Sequence, residues 1–152
     1  MSPWDRNRNE IEAMLQQREI ETVVASTSHA ERILDEARQH VLSAQMIIGE
    51  NPSGALNLAY DAARQAANSL LAAQGLRPTT SGGHIAVQDA AICQFDGPFK
   101  ELRQLRRRRH ANQYTSATDP TATTEDAEEA IDAATRMVEA AGQLIDKVTP
   151  WR

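Results

Sequence analysis

The chain has 152 residues, a length that suits one domain with one sizeable core. Apolar residues make up 41% and charged residues 24%, which excludes a disordered chain. The net charge of −5 argues against a general nucleic-acid coat, yet five of the 16 Lys and Arg crowd into residues 103–109.

Alanine is abundant and aromatics are only 4%, which favours closely packed helices over a sheet. A first helix is expected over Arg6 to Gln17, with Ile11, Met14 and Leu15 as its apolar stripe. The β-branched stretch REIETVVAST leaves three readings open: a bend, a short extended piece, or more of that helix. Ser28-His-Ala-Glu31 has capping-box spacing and predicts the start of a second helix. Its stripe is Ala30, Ile33/Leu34, Ala37, Val41, Ala44 and Ile47/Ile48, and Gly49 with Asn51-Pro52 ends it.

A third helix is predicted from Pro52-Ser53 to Gln74, with Gly75 as its C-terminal stop and Pro78 beyond. Leu56, Ala59, Ala63, Ala66/Ala67 and Leu70 give it a small-residue face that allows close approach. TTSGG reads as a loop, and a shorter helix follows from His84 to Cys93. After the break at Asp96-Gly-Pro98, another helix carries the arginines. TSATDPTATT is a loop by composition, and a last amphipathic helix spans Glu125 to Val148. Its first turn is acidic, as the helix dipole prefers.

The expected fold is therefore all-α, an up-and-down bundle of four to five main helices. One domain over 1–152 is expected, with an N-terminal helix and connecting segment over 1–27 and a core bundle over 28–148. A single cysteine, Cys93, excludes an internal disulfide and is expected to be a buried small apolar group. The polar start and the lack of a long apolar run give the expectation of a cytoplasmic chain with no membrane contact.

RQLRRRRHANQY, residues 103–114, is the most informative stretch. Phe99, Leu102 and Leu105 define an inward stripe, and continuing it reaches Arg106, Arg109 and Asn112/Gln113. Arg107 and Arg108 point away and read as surface residues. An inward guanidinium needs acceptors, and Tyr60 and Asp61 interrupt an otherwise small and apolar helix where they could serve. Three readings stay open: an Arg–Asp pair that sets helix register, a solvated charge run, or a polar site at the end of the bundle.

Two stretches carry a resemblance to a known family: SAQMIIGENPSGALNLAYDAARQAANSLLAAQGLRPTTSGGHIAVQDA and PFKELRQLRRRRHANQY, with the final helix after them. Their order resembles the HEPN superfamily, helical domains of prokaryotic toxins, antiphage systems and partners of nucleotidyltransferases. In the first stretch Gly83-His84 opens a short helix; in the second an Arg–polar pair falls near a helix end.

The resemblance implies metal-independent RNA cleavage, in which the ribose 2′-hydroxyl attacks the adjacent phosphorus. Active members carry Arg-x4–6-His. Arg103 and His110 satisfy that spacing, but Arg103 lies well inside its helix. Arg109 with His110 matches the Arg–polar pair better and puts Tyr114 where the histidine belongs. Arginine suits phosphate because it is always charged, and histidine suits proton transfer because it titrates near neutrality. Tyrosine is a poor base at neutral pH, since its ordinary pKa is about 10. Arg109, His110 and Tyr114 are thus the candidate catalytic residues. Arg103 and Arg106 are expected to attract RNA, and Tyr60, Asp61, His84 and Asn112 to support the site. The family also implies a homodimer, with a nucleotidyltransferase or antitoxin as protein partner.

The four histidines lack metal-ligand spacing, so no metal and no cofactor is expected. His84, beside Gly83 at a helix start, reads first as a capping or packing residue. Gly82-Gly83 is no phosphate loop, because no Lys-Ser/Thr follows.

Overall fold

The computed structural model describes residues 7–113 and 121–152. Tyr114 lies outside the described residues. Six α-helices are present there: α1 (Arg8–Gln16), α2 (Thr27–Ile47), α3 (Pro52–Gln74), α4 (Gly83–Phe95), α5 (Leu102–Gln113) and α6 (Thr124–Leu144). Two short strands, β1 (Ile20–Thr22) and β2 (Leu76–Pro78), form the one sheet among these residues. The fold is an all-α bundle.

α3 is the central element and packs against α2, α6, α4 and α5. Its sequence explains this position. Ala55, Ala59, Ala62, Ala63, Ala66 and Ala67 are all fully buried and form one broad small-residue face. Such a face lets neighbouring helices approach closely, while Asn57, Asp61, Arg64 and Asn68 on the other side are only half-buried. The Asn51 side chain caps its start, accepting from Gly54 N–H at 2.9 Å, with Pro52 in the first turn. Gly75 ends it at φ 76°, a left-handed conformation that glycine adopts readily.

The start of α2 differs from the sequence expectation. The N-cap is Ser26, which is extended (φ −142°, ψ 109°) and accepts from His29 N–H at 3.2 Å. Ser28 already lies inside the helix, where the backbone geometry no longer lets its hydroxyl cap the first turn. A capping box does form at α6: Thr123 and Asp126 exchange hydrogen bonds, both at 3.0 Å. α6 stops at Leu144, short of the expected Val148, and a turn follows.

The ambiguous stretch after α1 supplies β1, which pairs antiparallel with β2 in the register Ile20–Pro78, Glu21–Arg77, Thr22–Leu76. Arg77 Nε donates to Glu21 across the ladder at 2.6 Å. Asp96-Gly-Pro98 does break the chain, but residues 97–101 form a 3-10 helix before α5 begins at Leu102. Cys93 is only half-buried, not enclosed as expected, because its thiol lies at the α1 end of the bundle and donates to the Asn7 carbonyl at 3.6 Å. No described helix is long and apolar enough to cross a membrane.

Candidate active site

α5 brings its stripe inward as the spacing predicts: Phe99, Leu102 and Leu105 are buried, and Arg106, Arg109 and Asn112 are half-buried. Arg108 departs from the expectation of a plain surface residue. It is half-buried and donates to Glu129 of α6 at 2.9 Å. Arg103 is exposed and stands 3.9 Å from Asp89, a long and weak pair.

Asn112 anchors the end of α5. It accepts from the Ser53 hydroxyl at 3.0 Å and donates to the Ser53 carbonyl and the Asn57 side chain, each at 3.2 Å. These contacts tie α5 to the first turns of α3.

A pocket of about 240 Å³ opens between α3, α5 and the start of α4. Tyr60 forms its floor, Arg106, Arg109 and His110 one wall, and the Gly82-Gly83 turn with His84 and Ile85 the other. The guanidinium carbon of Arg109 lies 5.1 Å from the Tyr60 ring centre. The His84 ring lies 6.1 Å from the same centre, tilted by 48°. Thus five of the residues singled out in the sequence share one cleft. Asn112 and Arg103 do not line it.

Local structure fixes the α4 wall. Thr79 Oγ1 donates to the Arg18 carbonyl at 2.6 Å, and Thr79 N–H donates to the Glu19 carbonyl at 3.0 Å. Gly82 N–H then donates back to Thr79 Oγ1 at 3.1 Å. A Cβ on Gly82 would come within 1.9 Å of the Glu19 carbonyl oxygen, so only glycine permits this approach. The first turn of α4, with its outward N–H groups and positive dipole end, is thereby held at the rim of the pocket.

The electrostatics are strongly positive. Arg109 forms no ion pair with Asp61 or any other carboxylate among the described residues, and its buried Nε makes no hydrogen bond. Arg64, one helical turn beyond Tyr60, also has a buried Nε without a partner. His84 is exposed at the rim, but partial desolvation on its pocket side lowers its pKa, and the nearby Arg64 and Arg109 charges lower it further; Asp61 opposes them. Its imidazole is therefore less protonated than an ordinary histidine at the same pH. Burial raises the pKa of the Tyr60 phenol above 10.0, with Arg64, Arg106 and Arg109 acting against it. The phenol is neutral at physiological pH.

Sequence reasoning missed Arg64. Its signal was present: Tyr60 and Arg64 are i, i+4 on α3 and share a face. Among the described residues no group of three or more His, Cys, Asp or Glu is placed to hold a metal. The site that remains is a small, open, cationic cleft with two imidazoles at its edges, a chemistry suited to a phosphate diester.

Comparison with curated proteins and with solved structures gave no match to this chain. The model of the HEPN domain matches residues 23–144, a span that contains α2 to α6 and every residue of the cleft, and the chain belongs to that family.

Proposed function

We propose that this chain is an RNA-directed HEPN protein, a metal-independent endoribonuclease of toxin or defence type. The observation that carries the reading is Arg109, half-buried in the cleft with no carboxylate partner among the described residues. A buried cation without an acceptor is costly unless a ligand supplies the negative charge. A phosphate seated against Arg109 supplies it and meets the α4 N-terminus on its other side. Arg106 adds charge at the cleft, and Arg103 draws RNA along the exposed face of α5. In this reading His110 or Tyr114 moves a proton, and Arg109 stabilises the charge that builds on phosphate.

Two copies of the chain pair in this reading, bringing their clefts together, as family membership supports. A second reading is favoured by Tyr114 at the motif's histidine position. There the cleft binds RNA, a nucleotide or a protein partner such as a nucleotidyltransferase, without cleavage.

The deciding experiment incubates a mixed RNA pool, with chelator, with the wild type and with Arg109→Ala. Cleavage by the wild type alone, leaving 2′,3′-cyclic ends, supports the nuclease. Salt-dependent RNA binding without cleavage supports the second reading. Neither RNA binding nor cleavage by the folded protein overturns the RNA-directed reading and leaves only a nucleotide or protein partner for the cleft.

A further inference from the structure

Transesterification of RNA needs two proton positions. One group takes the proton of the 2′-hydroxyl, and another gives a proton to the departing 5′ oxygen. α5 alone supplies one described imidazole, His110, at its exposed end. The other imidazole of the cleft comes from α4. His84 and Arg109 approach the same Tyr60 ring, at 6.1 and 5.1 Å from its centre. The phenol is buried on α3 and holds both groups to one floor. The Thr79–Gly82 turn fastens the α4 wall to the Arg18 and Glu19 carbonyls just before β1, which fixes where His84 stands.

We infer that His84 is the general base of this cleft, the group that accepts the ribose 2′-hydroxyl proton opposite Arg109. The inference rests on the ribonuclease reading above. The O2′–H bond breaks toward a ring nitrogen of His84 as O2′ bonds to phosphorus. The P–O5′ bond breaks, and the 5′ oxygen leaves with a proton from the His110 imidazolium. The products are a 2′,3′-cyclic phosphate and a 5′-hydroxyl, and exchange with water resets both imidazoles.

The assignment of the base to His84 follows from its surroundings, and His110, the other imidazole of the cleft, is left for the acid. His84 sits at the positive end of α4 with Arg64, Arg106 and Arg109 facing it, all of which disfavour a proton on its ring. Tyr60, Asp61 and His110 are the other titratable groups near it among the described residues. The arginines and the phenol ordinarily titrate above the neutral range and a carboxylate below it. A rate limb near neutrality therefore belongs to one of the two histidines.

The test uses two substrates: an RNA oligonucleotide and uridine 3′-(p-nitrophenyl) phosphate, whose leaving group needs no proton. Wild type, His84→Asn and His110→Asn are compared, with folding checked by circular dichroism and RNA binding measured separately. His84→Asn is expected to lose about 100-fold or more in kcat on both substrates. RNA binding should hold within about threefold, since a neutral imidazole adds no charge to the phosphate contact. The rising acid limb of the pH–rate profile should vanish, and added imidazole should restore part of the rate. His110→Asn should be impaired on RNA and close to wild type on the activated ester. If the wild type cleaves neither substrate, the ribonuclease reading falls and this inference with it. If the wild type cleaves and His84→Asn is unimpaired, only the inference falls. It falls equally if His84→Asn is impaired on RNA alone, which makes it the acid, or if RNA binding is lost together with cleavage.

Discussion

The guanidinium of Arg109 stacks over the ring of Tyr60, 5.1 Å from its centre, and that contact takes the place of the carboxylate pair a buried arginine usually finds. A ring attracts a cation without neutralising it. The charge of Arg109 therefore stays available to a ligand. Arg109→Ala should lower stability by only about 1–2 kcal/mol, the range of a partly buried cation–π contact. RNA cleavage should drop by about 100-fold, the scale of one lost transition-state donor. Urea unfolding set beside a cleavage assay checks this; a large stability loss with unchanged cleavage would make Arg109 a structural residue.

Tyr60 is buried and carries the cleft floor. Tyr60→Phe keeps the ring and should leave stability within about 1 kcal/mol, as isosteric core changes do. Tyr60→Ala should lose about 3–5 kcal/mol through the cavity it leaves, and should unseat Arg109 as well. Thermal denaturation of the two variants separates the ring from the hydroxyl.

The lowered pKa of His84 makes stability depend on pH in a defined direction. Between the folded value and the ordinary value of about 6.5, the unfolded chain binds more protons than the folded one. Stability should rise with pH across that window, be complete above about pH 6.5, and be lost as pH falls through the folded value. His84→Gln should lack this slope. Urea midpoints of wild type and variant, followed downward from neutral pH, should diverge below the window's upper edge; parallel curves would contradict the lowered pKa of His84.

Gly82→Ala places a methyl against the Glu19 carbonyl, where no space exists. Overpacking of this kind costs about 1–3 kcal/mol. The turn must shift, and His84 shifts with it. Cleavage should therefore fall more steeply than stability. Gly49→Ala is the control, because nothing lies within 4 Å of its added Cβ.

The Thr123–Asp126 capping box should be worth about 0.5–2 kcal/mol to α6. Thr123 N–H, hydrogen-bonded to Asp126, holds that carboxyl below its usual range. Its contribution is present above about pH 4, the ordinary carboxylate value, and is lost as pH falls through the depressed one. Asp126→Asn should lower the melting temperature at neutral pH and merge with the wild type in acid, whereas Thr123→Ala should stay below the wild type in acid too, because the hydroxyl that accepts from Asp126 N–H does not titrate.

The long helices were legible because their apolar spacing continues over many turns, from Leu56 to Leu70 in α3 and from Ala127 onward in α6. The two strands were not. Leu76-Arg-Pro78 is too short to show a period, and its partner Ile20–Thr22 lies far away in sequence. Ser26 and Ser28 are both good caps by type, and only backbone angles distinguish them. The inward turn of Arg106 and Arg109 was visible in the stripe they continue. His84 was expected to support the site, but its place opposite them follows from no spacing, because it depends on the long-range tie between Thr79 and Arg18. Asp61 was a reasonable acceptor by pattern, yet no ion pair joins it to Arg109, and Arg64 beside it adds a further positive charge.

The alanines of α3 have one more consequence. A methyl group has no rotamer to freeze, so burying six of them between neighbouring helices gives up almost no side-chain entropy on folding. A central helix built from leucine would add area but would give up freedom at every position. The chain thus reaches a fixed geometry at low entropic cost. That rigidity lets a wall of like charges stand around a cleft without collapsing inward or splaying apart.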